Sequence, residues 1–253
     1  MQRAIDLNAD LGEGYGAWRM GDDDAMFALV TSANVACGFH AGDPLTMTRS
    51  ARLAVAHGVA LGAHPGYRDR AGFGRRELAV SAEEVAAEVV YQVGALAAVA
   101  RTAGTAVRYV KAHGALYHRL DADRAAAAAV AEALAAYDPA IVLLGPPAGE
   151  LEAAASERGL RYAREAFIDR AYLGDGRLVP RAEAGALVHE PSAAVDRALE
   201  LAETGGIAAH DGSRVDLEPD SLCLHGDTPG AVELARAVRS ALAAAGHELR
   251  PFA

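Results

Sequence analysis

Residues 5–13 read Ile5-Asp6-Leu7-Asn8-Ala9-Asp10-Leu11-Gly12-Glu13, and the first six of them alternate strictly between apolar and polar. Successive side chains of a strand point to opposite faces, so Ile5, Leu7 and Ala9 share one face while Asp6, Asn8 and Asp10 share the other. The apolar face must meet helices. The polar face then turns into the interior of a closed sheet, with Asp10 nearest the C-terminal mouth, roughly 13 Å above Asp6.

With this first strand taken as 4–10, six more β-type runs follow at 32–40, 60–64, 107–113, 141–144, 160–167 and 221–227. Ala-rich amphipathic segments lie between them, and a repeated strand–helix pattern argues for a parallel sheet. The helix punctuation is specific. Asp43-Pro44 supplies an N-cap and a first-turn proline, with Gly58 as a stop, and Ser81-Ala82-Glu83-Glu84 is a capping box whose helix ends near Gly104. Thr228-Pro229 opens the last helix in the same way, and 125–136 reads as a helix rather than a spacer. Asp211-Gly212, between short runs at 206–209 and 215–217, predicts a small hairpin inserted before the last strand.

No linker, low-complexity tail or break in composition divides the chain, so 1–253 reads as one domain. An open doubly wound sheet competes with a barrel, but no Gly-x-Gly-x-x-Gly turn follows the first strand. The expectation is an α/β fold, a single-domain seven-stranded parallel β/α barrel. At 253 residues, 52% hydrophobic and only 6% aromatic, its core must be built from Ala, Val and Leu. A net charge of −10 with no basic stripe argues against nucleic acid and anionic membranes as partners. The N-terminus has no basic start followed by an apolar stretch, so no signal peptide or membrane span is expected there and the chain reads as cytoplasmic. The two cysteines, Cys37 and Cys223, are too few for a disulfide framework and read as core residues.

The polar residues converge at one end of the sheet. The second strand presents Asn34 and His40 inward, with the small Ala36 and Gly38 between them, while Cys37 faces the helices. The other strands end in His64, in Lys111 and His113, in Glu165, and in His225 with Asp227. Any one of these is an ordinary polar group near a loop. Together they are what a barrel active site requires, because the C-terminal strand ends carry the chemistry of that fold. Lys111 is the single lysine among 24 basic residues, all the others being arginine. Its compact ammonium suits a phosphoryl or carboxylate oxygen, or a buried ion pair.

The loop Gly72-Phe73-Gly74-Arg75-Arg76 reads either as a basic clamp over an anion or as an ordinary solvated loop. The turn His225-Gly226-Asp227-Thr228-Pro229 sets amides at a helix N-terminus, for an anion or for Asp227 as its own cap. No Walker A loop exists, since Lys111 has no glycine-rich run before it and alanine after it. His64, His113 and His225 with Asp10 or Glu165 offer metal ligands, but no tight H-x-x-x-H pair fixes a geometry.

The blocks 6–13, Ser32-Ala33-Asn34-Val35-Ala36-Cys37-Gly38-Phe39-His40-Ala41-Gly42-Asp43-Pro44, Gly62-Ala63-His64-Pro65-Gly66, Val110-Lys111-Ala112-His113-Gly114-Ala115-Leu116-Tyr117, Glu165-Ala166-Phe167-Ile168-Asp169-Arg170 and Cys223-Leu224-His225-Gly226-Asp227-Thr228-Pro229 resemble, in order, the signatures of the LamB/YcsF family, the A-subunit proteins of 5-oxoprolinase. Ala112 stands where the family usually has proline, and His118 where asparagine is common. The resemblance implies a barrel related to sugar deacetylases and glycoside hydrolases. It also implies conversion of 5-oxoproline to glutamate with hydrolysis of ATP (with Mg2+), no tightly bound organic cofactor, and 5-oxoprolinase subunits B and C as partners.

On that basis the catalytic candidates are Asp10, His40, His64, Lys111, His113, Glu165, His225 and Asp227. The substrate-binding candidates are Asn8, Glu13, Asn34, Arg75, Arg76, Asp169 and Arg170. Two other functions compete: a metal-dependent deacylase of sugars, and a non-catalytic subunit that presents 5-oxoproline to its partners.

Overall fold

Seven parallel strands close on themselves in the order β1-β2-β3-β4-β5-β6-β9 in the computed structural model, which describes residues 4–181, 183–188, 190–226 and 230–253. In chain order the elements are β1 (Asp6–Leu11), α1 (Asp23–Phe27), β2 (Ser32–Ala36), α2 (Pro44–His57), β3 (Ala60–His64), α3 (Ala82–Ala103), β4 (Val107–Lys111), α4 (Gly114–Ala122), α5 (Arg124–Tyr137), β5 (Val142–Gly145), α6 (Glu150–Glu157), β6 (Arg161–Phe167), α7 (Pro191–Thr204), β7 (Gly206–Ala208), β8 (Arg214–Asp216), β9 (Ser221–His225) and α8 (Ala231–Ala244). The seven expected strands are the seven barrel strands. The β7–β8 hairpin is the antiparallel insertion that Asp211-Gly212 announces.

Local chemistry explains why the helices begin and end where they do. Asp43 Oδ1 accepts from the amides of Leu45 and Thr46 at 2.8 and 3.0 Å, Pro44 occupies the first turn, and Gly58 closes α2 at a φ of +67°. Ser81 and Glu84 cap α3 reciprocally, each side chain meeting the other's backbone amide. By length and composition alone α3 is apolar enough to cross a bilayer, yet its stripe Val85, Val89, Val93, Leu96 and Ala100 is buried in the barrel's helical layer. Thr228-Pro229, the expected opening of α8, lies outside the described residues.

Three strands end earlier than expected: β2 stops at Ala36, β4 at Lys111 and β9 at His225. After β2 the cause is local. Gly38 takes a φ of +98°, and its amide donates to the Ala41 carbonyl at 2.8 Å, which turns the chain away from its neighbours.

Leu7, Ala9 and Leu11 face outward into the main core, as the alternation of residues 5–10 requires. The barrel interior is filled in two unlike halves. Tyr109, Val142, Leu144 and Ala163 form an apolar plug, closed by Phe252 with its ring 4.8 Å from that of Tyr109. On the β1, β2 and β9 side the same depth is polar. Asp6 accepts from Thr31 and Ser32 at 2.6 Å and also from Ser221, and Asn8 donates to Ser221 at 2.6 Å. Burial raises the Asp6 carboxyl to about 6 even though these three hydroxyls favour its ionised form.

Candidate active site

The register β1–β2 sets Asp10 beside Asn34, and β1–β9 sets it beside His225, so the inward residues of several strands meet at one level. Asn34 is the bracket beneath. Its amide nitrogen reaches Asn8 Oδ1 at 2.7 Å and Asp10 Oδ1 at 2.8 Å, and its oxygen accepts from the Tyr109 hydroxyl at 2.7 Å. Asn8 and Asn34 are fully enclosed and lie outside the cavity wall. The structure therefore gives them a place under the floor rather than the expected contact with substrate.

Lys111 ends β4 at the centre. Its ammonium lies 3.0 Å from Asp10 Oδ1, 2.8 Å from Glu165 Oε1 and 3.1 Å from Cys223 Sγ, with the Phe167 ring 5.0 Å away. Burial works to discharge it, but the carboxylates of Asp10 and Glu165 outweigh that and hold its pKa well above the ordinary lysine value. Burial likewise works to raise the Asp10 carboxyl, and His64 and Lys111 outweigh it and hold Asp10 well below the usual range. Cys223 is buried, and burial pushes its thiol far up, which makes it a spacer beside the ammonium rather than a thiolate.

Three imidazoles crowd the other side. His113 stacks on His40 with ring centroids 3.7 Å apart and planes within 2°, and His64 stands edge-on to both. Burial, with the neighbouring rings, pulls His40 and His113 well below the ordinary histidine value, so both are neutral at pH 7. His40 arrives on the turn after β2, not on the strand itself. Gln92 of α3 clamps the adjacent Gly66 by donating to its carbonyl and accepting from its amide, both at 3.0 Å. Across the mouth, His225 Nδ1 lies 2.7 Å from Asp169 Oδ2. Burial opposes the charge on His225, but Asp169 outweighs it and raises the pKa, while the same contact lowers that of Asp169.

Above this floor opens a cavity of about 300 Å3. Asp10, Glu13, His64, Arg75, Lys111, His113, Arg170 and His225 line it, whereas His40, Glu165 and Asp169 stand behind the lining groups that they touch. Arg76 is not part of the expected clamp. Its guanidinium turns back to Asp69, with Nε 2.8 Å from Oδ2, and braces its own loop. Arg170 lines the cavity, but it also donates to the Val179 carbonyl at 2.7 Å and so holds the 171–188 excursion in place. Asp227 lies outside the described residues.

Tyr117, His118, Phe167, Leu178 and Arg181 also line the cavity and are not among the candidates that the sequence offers. Phe167 was within reach of the strand alternation, two residues beyond Glu165. Arg181 lies in an irregular stretch with no period to read.

A closed parallel barrel that gathers an ammonium, carboxylates and imidazoles at its C-terminal strand ends defines a β/α-barrel protein with an enzyme-like mouth. The LamB/YcsF family profile matches residues 5–253, and the chain belongs to that family. A relative from Mycobacterium avium (strain 104), named as the A-subunit of 5-oxoprolinase, is 56% identical over 98% of this chain and 98% of its own length. The crystal structure of a lactam utilization protein from Thermus thermophilus superposes with a TM-score of 0.94 at 49% identity, covering 99% of this chain and 100% of that one. The catalytic domain of a peptidoglycan N-acetylglucosamine deacetylase from Eubacterium rectale ATCC 33656 reaches a TM-score of 0.53 at 10% identity, over 100% of this chain and 90% of that one, a likeness of fold alone.

Proposed function

We propose that this chain is the lactam-opening component of an ATP-dependent 5-oxoprolinase, acting with subunits B and C in the cytoplasm. The observation that carries this is the buried Lys111 ammonium, held between Asp10 and Glu165 under a cavity of about 300 Å3. That volume sits at the small end of ligand pockets, roughly 300–1,000 Å3, and suits a small cyclic acid better than a nucleotide. The adjoining groove carries Glu77, Asp121, Asp123 and Asp175 against Arg119 and Arg177, a balance that does not attract a triphosphate. The phosphoryl group of ATP, with its Mg2+, is therefore delivered from a partner protein.

An unstrained lactam is a resonance-stabilised amide. Transfer of the γ-phosphoryl group to the lactam oxygen releases ADP and makes the ring carbon electrophilic enough that water needs orienting more than deprotonating. Asp10 orients that water and takes its proton as the carbon–oxygen bond forms, while Lys111 faces the negative charge that develops. The carbon–nitrogen bond then breaks, and the leaving nitrogen takes a proton from the His225 imidazolium that Asp169 holds in place. The acyl phosphate left behind reacts with a second water to give glutamate and phosphate. Arg75 and Arg170, which line the cavity, receive the substrate carboxylate in this reading.

The experiment is to incubate the purified chain with ATP and 5-oxoproline, alone and with subunits B and C, and to measure glutamate and ADP together. Glutamate that appears only with the partners, in step with ADP, supports the reading. No glutamate in mixtures with verified active partners refutes it. A second reading, metal-dependent hydrolysis of an acylated sugar, is favoured by the grouping of Glu13 with three histidines. Chelator-sensitive release of acetate from N-acetylated amino sugars would establish that one instead.

A further inference from the structure

Glu13, His40, His64 and His113 surround one point at the cavity wall, with one ligand-capable atom from each lying within 4.8 Å of all the others. The meaning of this cluster depends on which ring nitrogens face it. The Lys111 carbonyl can only accept, so His64 Nδ1, 2.8 Å away, donates to it and Nε2 is the nitrogen turned toward the cluster. The Phe73 carbonyl fixes His113 in the same way, with Nε2 donating at 2.8 Å and Nδ1 turned toward the cluster. These two inward nitrogens face each other across 3.0 Å.

More acceptors crowd the same point. Glu13 Oε1 lies 3.5 Å from His113 Nδ1 and 3.4 Å from His40 Nε2, and Asp10 Oδ2 lies 3.4 Å from His64 Nε2. His40 is almost wholly enclosed, yet neither of its nitrogens makes a hydrogen bond among the described residues. Buried imidazole nitrogens and carboxylate oxygens turned toward one point are a natural setting for a cation.

We propose that Glu13, His40, His64 and His113 bind one divalent transition-metal ion of the zinc class. A tetrahedral centre with bonds of about 2.1 Å to nitrogen and oxygen sets its ligand atoms roughly 3.4 Å apart. Three of the six separations, 3.0, 3.4 and 3.5 Å, match that spacing, and the other three lie within 4.8 Å. Three imidazoles and one carboxylate suit zinc, cobalt(II) or nickel(II), whereas magnesium and calcium ask for oxygen ligands throughout.

The outer support that metal-bound histidines need is already built, since the Lys111 and Phe73 carbonyls fix both tautomer and ring orientation. Phe73 holds its carbonyl there from a left-handed backbone, with a φ of +54° that a bulky residue rarely adopts. Room for the His40 ring depends on Gly66, where an added Cβ would press on Nδ1, and on Gly74, where it would meet both His40 and His113. Because Glu13, His64 and His113 also line the cavity, an ion here would face a bound substrate and could act as a Lewis acid by taking its carbonyl or phosphoryl oxygen as a fifth ligand.

The metal site is a claim separate from the lactam reaction, and its test uses no substrate. The purified chain is stripped with a chelator and titrated with Co2+, and metal per chain is read by mass spectrometry alongside the visible cobalt spectrum. One cobalt per chain, with the intense absorption of a tetrahedral centre and displacement by Zn2+, is the expected result. His64→Gln with His113→Gln should weaken binding at least ~100-fold, and Glu13→Gln alone ~10-fold or more, with circular dichroism of the metal-free chains unchanged.

Loading well below one ion per chain at micromolar cobalt would overturn the proposal. So would stoichiometric loading that survives both the double variant and Glu13→Gln. If the double variant does not fold, Glu13→Gln decides alone. Glutamate formation, assayed separately with the partner proteins, can fail without altering the metal result.

Discussion

Replacing Lys111 with methionine removes one charge from a place that holds three. Lys111 is 1% exposed and its ammonium lies 3.0 and 2.8 Å from the carboxylates of Asp10 and Glu165, so the substitution leaves two buried carboxylates with no cation between them. Breaking a buried ion pair from one side costs about 3–5 kcal/mol, because the charge left behind has lost its compensation. In a chain of this length each kcal/mol lowers the melting temperature by roughly 2–4 °C, so the variant should melt ~6–20 °C below the parent.

Calorimetry at pH 7.5 measures this directly. The double variant Lys111→Met with Glu165→Gln supplies the control, because it removes the second stranded charge and should recover about half of the loss or more. A single variant that melts within ~2 °C of the parent, or a double variant no more stable than the single, would refute the account of Lys111 as a buried bridge. Turnover with the partner proteins should be abolished in both variants, so stability and catalysis are read independently.

Three further outcomes follow from the geometry. The Asp6 carboxyl is raised from 3.8 to about 6, so its contribution to stability is complete below 3.8 and lost as the pH rises through 6. Asp6→Asn should therefore gain on the parent by up to about 3 kcal/mol between pH 4 and 7 in urea titrations, and a difference independent of pH would contradict this. An added Cβ at Gly62 would fall inside the ring of Tyr109, which is wholly buried, so Gly62→Ala should cost ~3 kcal/mol or more by calorimetry. A melting temperature equal to the parent's would show that the ring moves aside freely. Asp169 raises the pKa of His225, so Asp169→Asn should shift the alkaline fall of kcat to lower pH, and an unmoved limb would remove His225 as the proton donor.

Much of this molecule is legible in its sequence because periodicity and capping act locally. The alternation of residues 5–10 placed Asp6, Asn8 and Asp10 inside the barrel, and Asp43, Ser81, Gly58 and Gly104 marked helix ends that the structure keeps. Alternation failed where the strand ended early. His40 reaches the mouth on a glycine turn, so its inward position did not follow from counting along β2. Strand counting also cannot tell wall from floor: Asn8 and Asn34 point inward as expected, yet they lie beneath the cavity because Asp10 and Lys111 cover them. Arg76 illustrates a different limit. Its partner Asp69 lies seven residues back in the same loop, and only the folded loop shows that this arginine is occupied.

The scarcity of lysine gives Lys111 a practical meaning as well. An amine-reactive reagent finds a single side-chain target on this chain, and that target is enclosed and held as an unreactive ammonium. Acylation at that position should be silent in the native protein and appear only as the top of the barrel opens. The labelling rate is thus a clock for that opening, read from one atom against a background of arginines that the reagent does not touch.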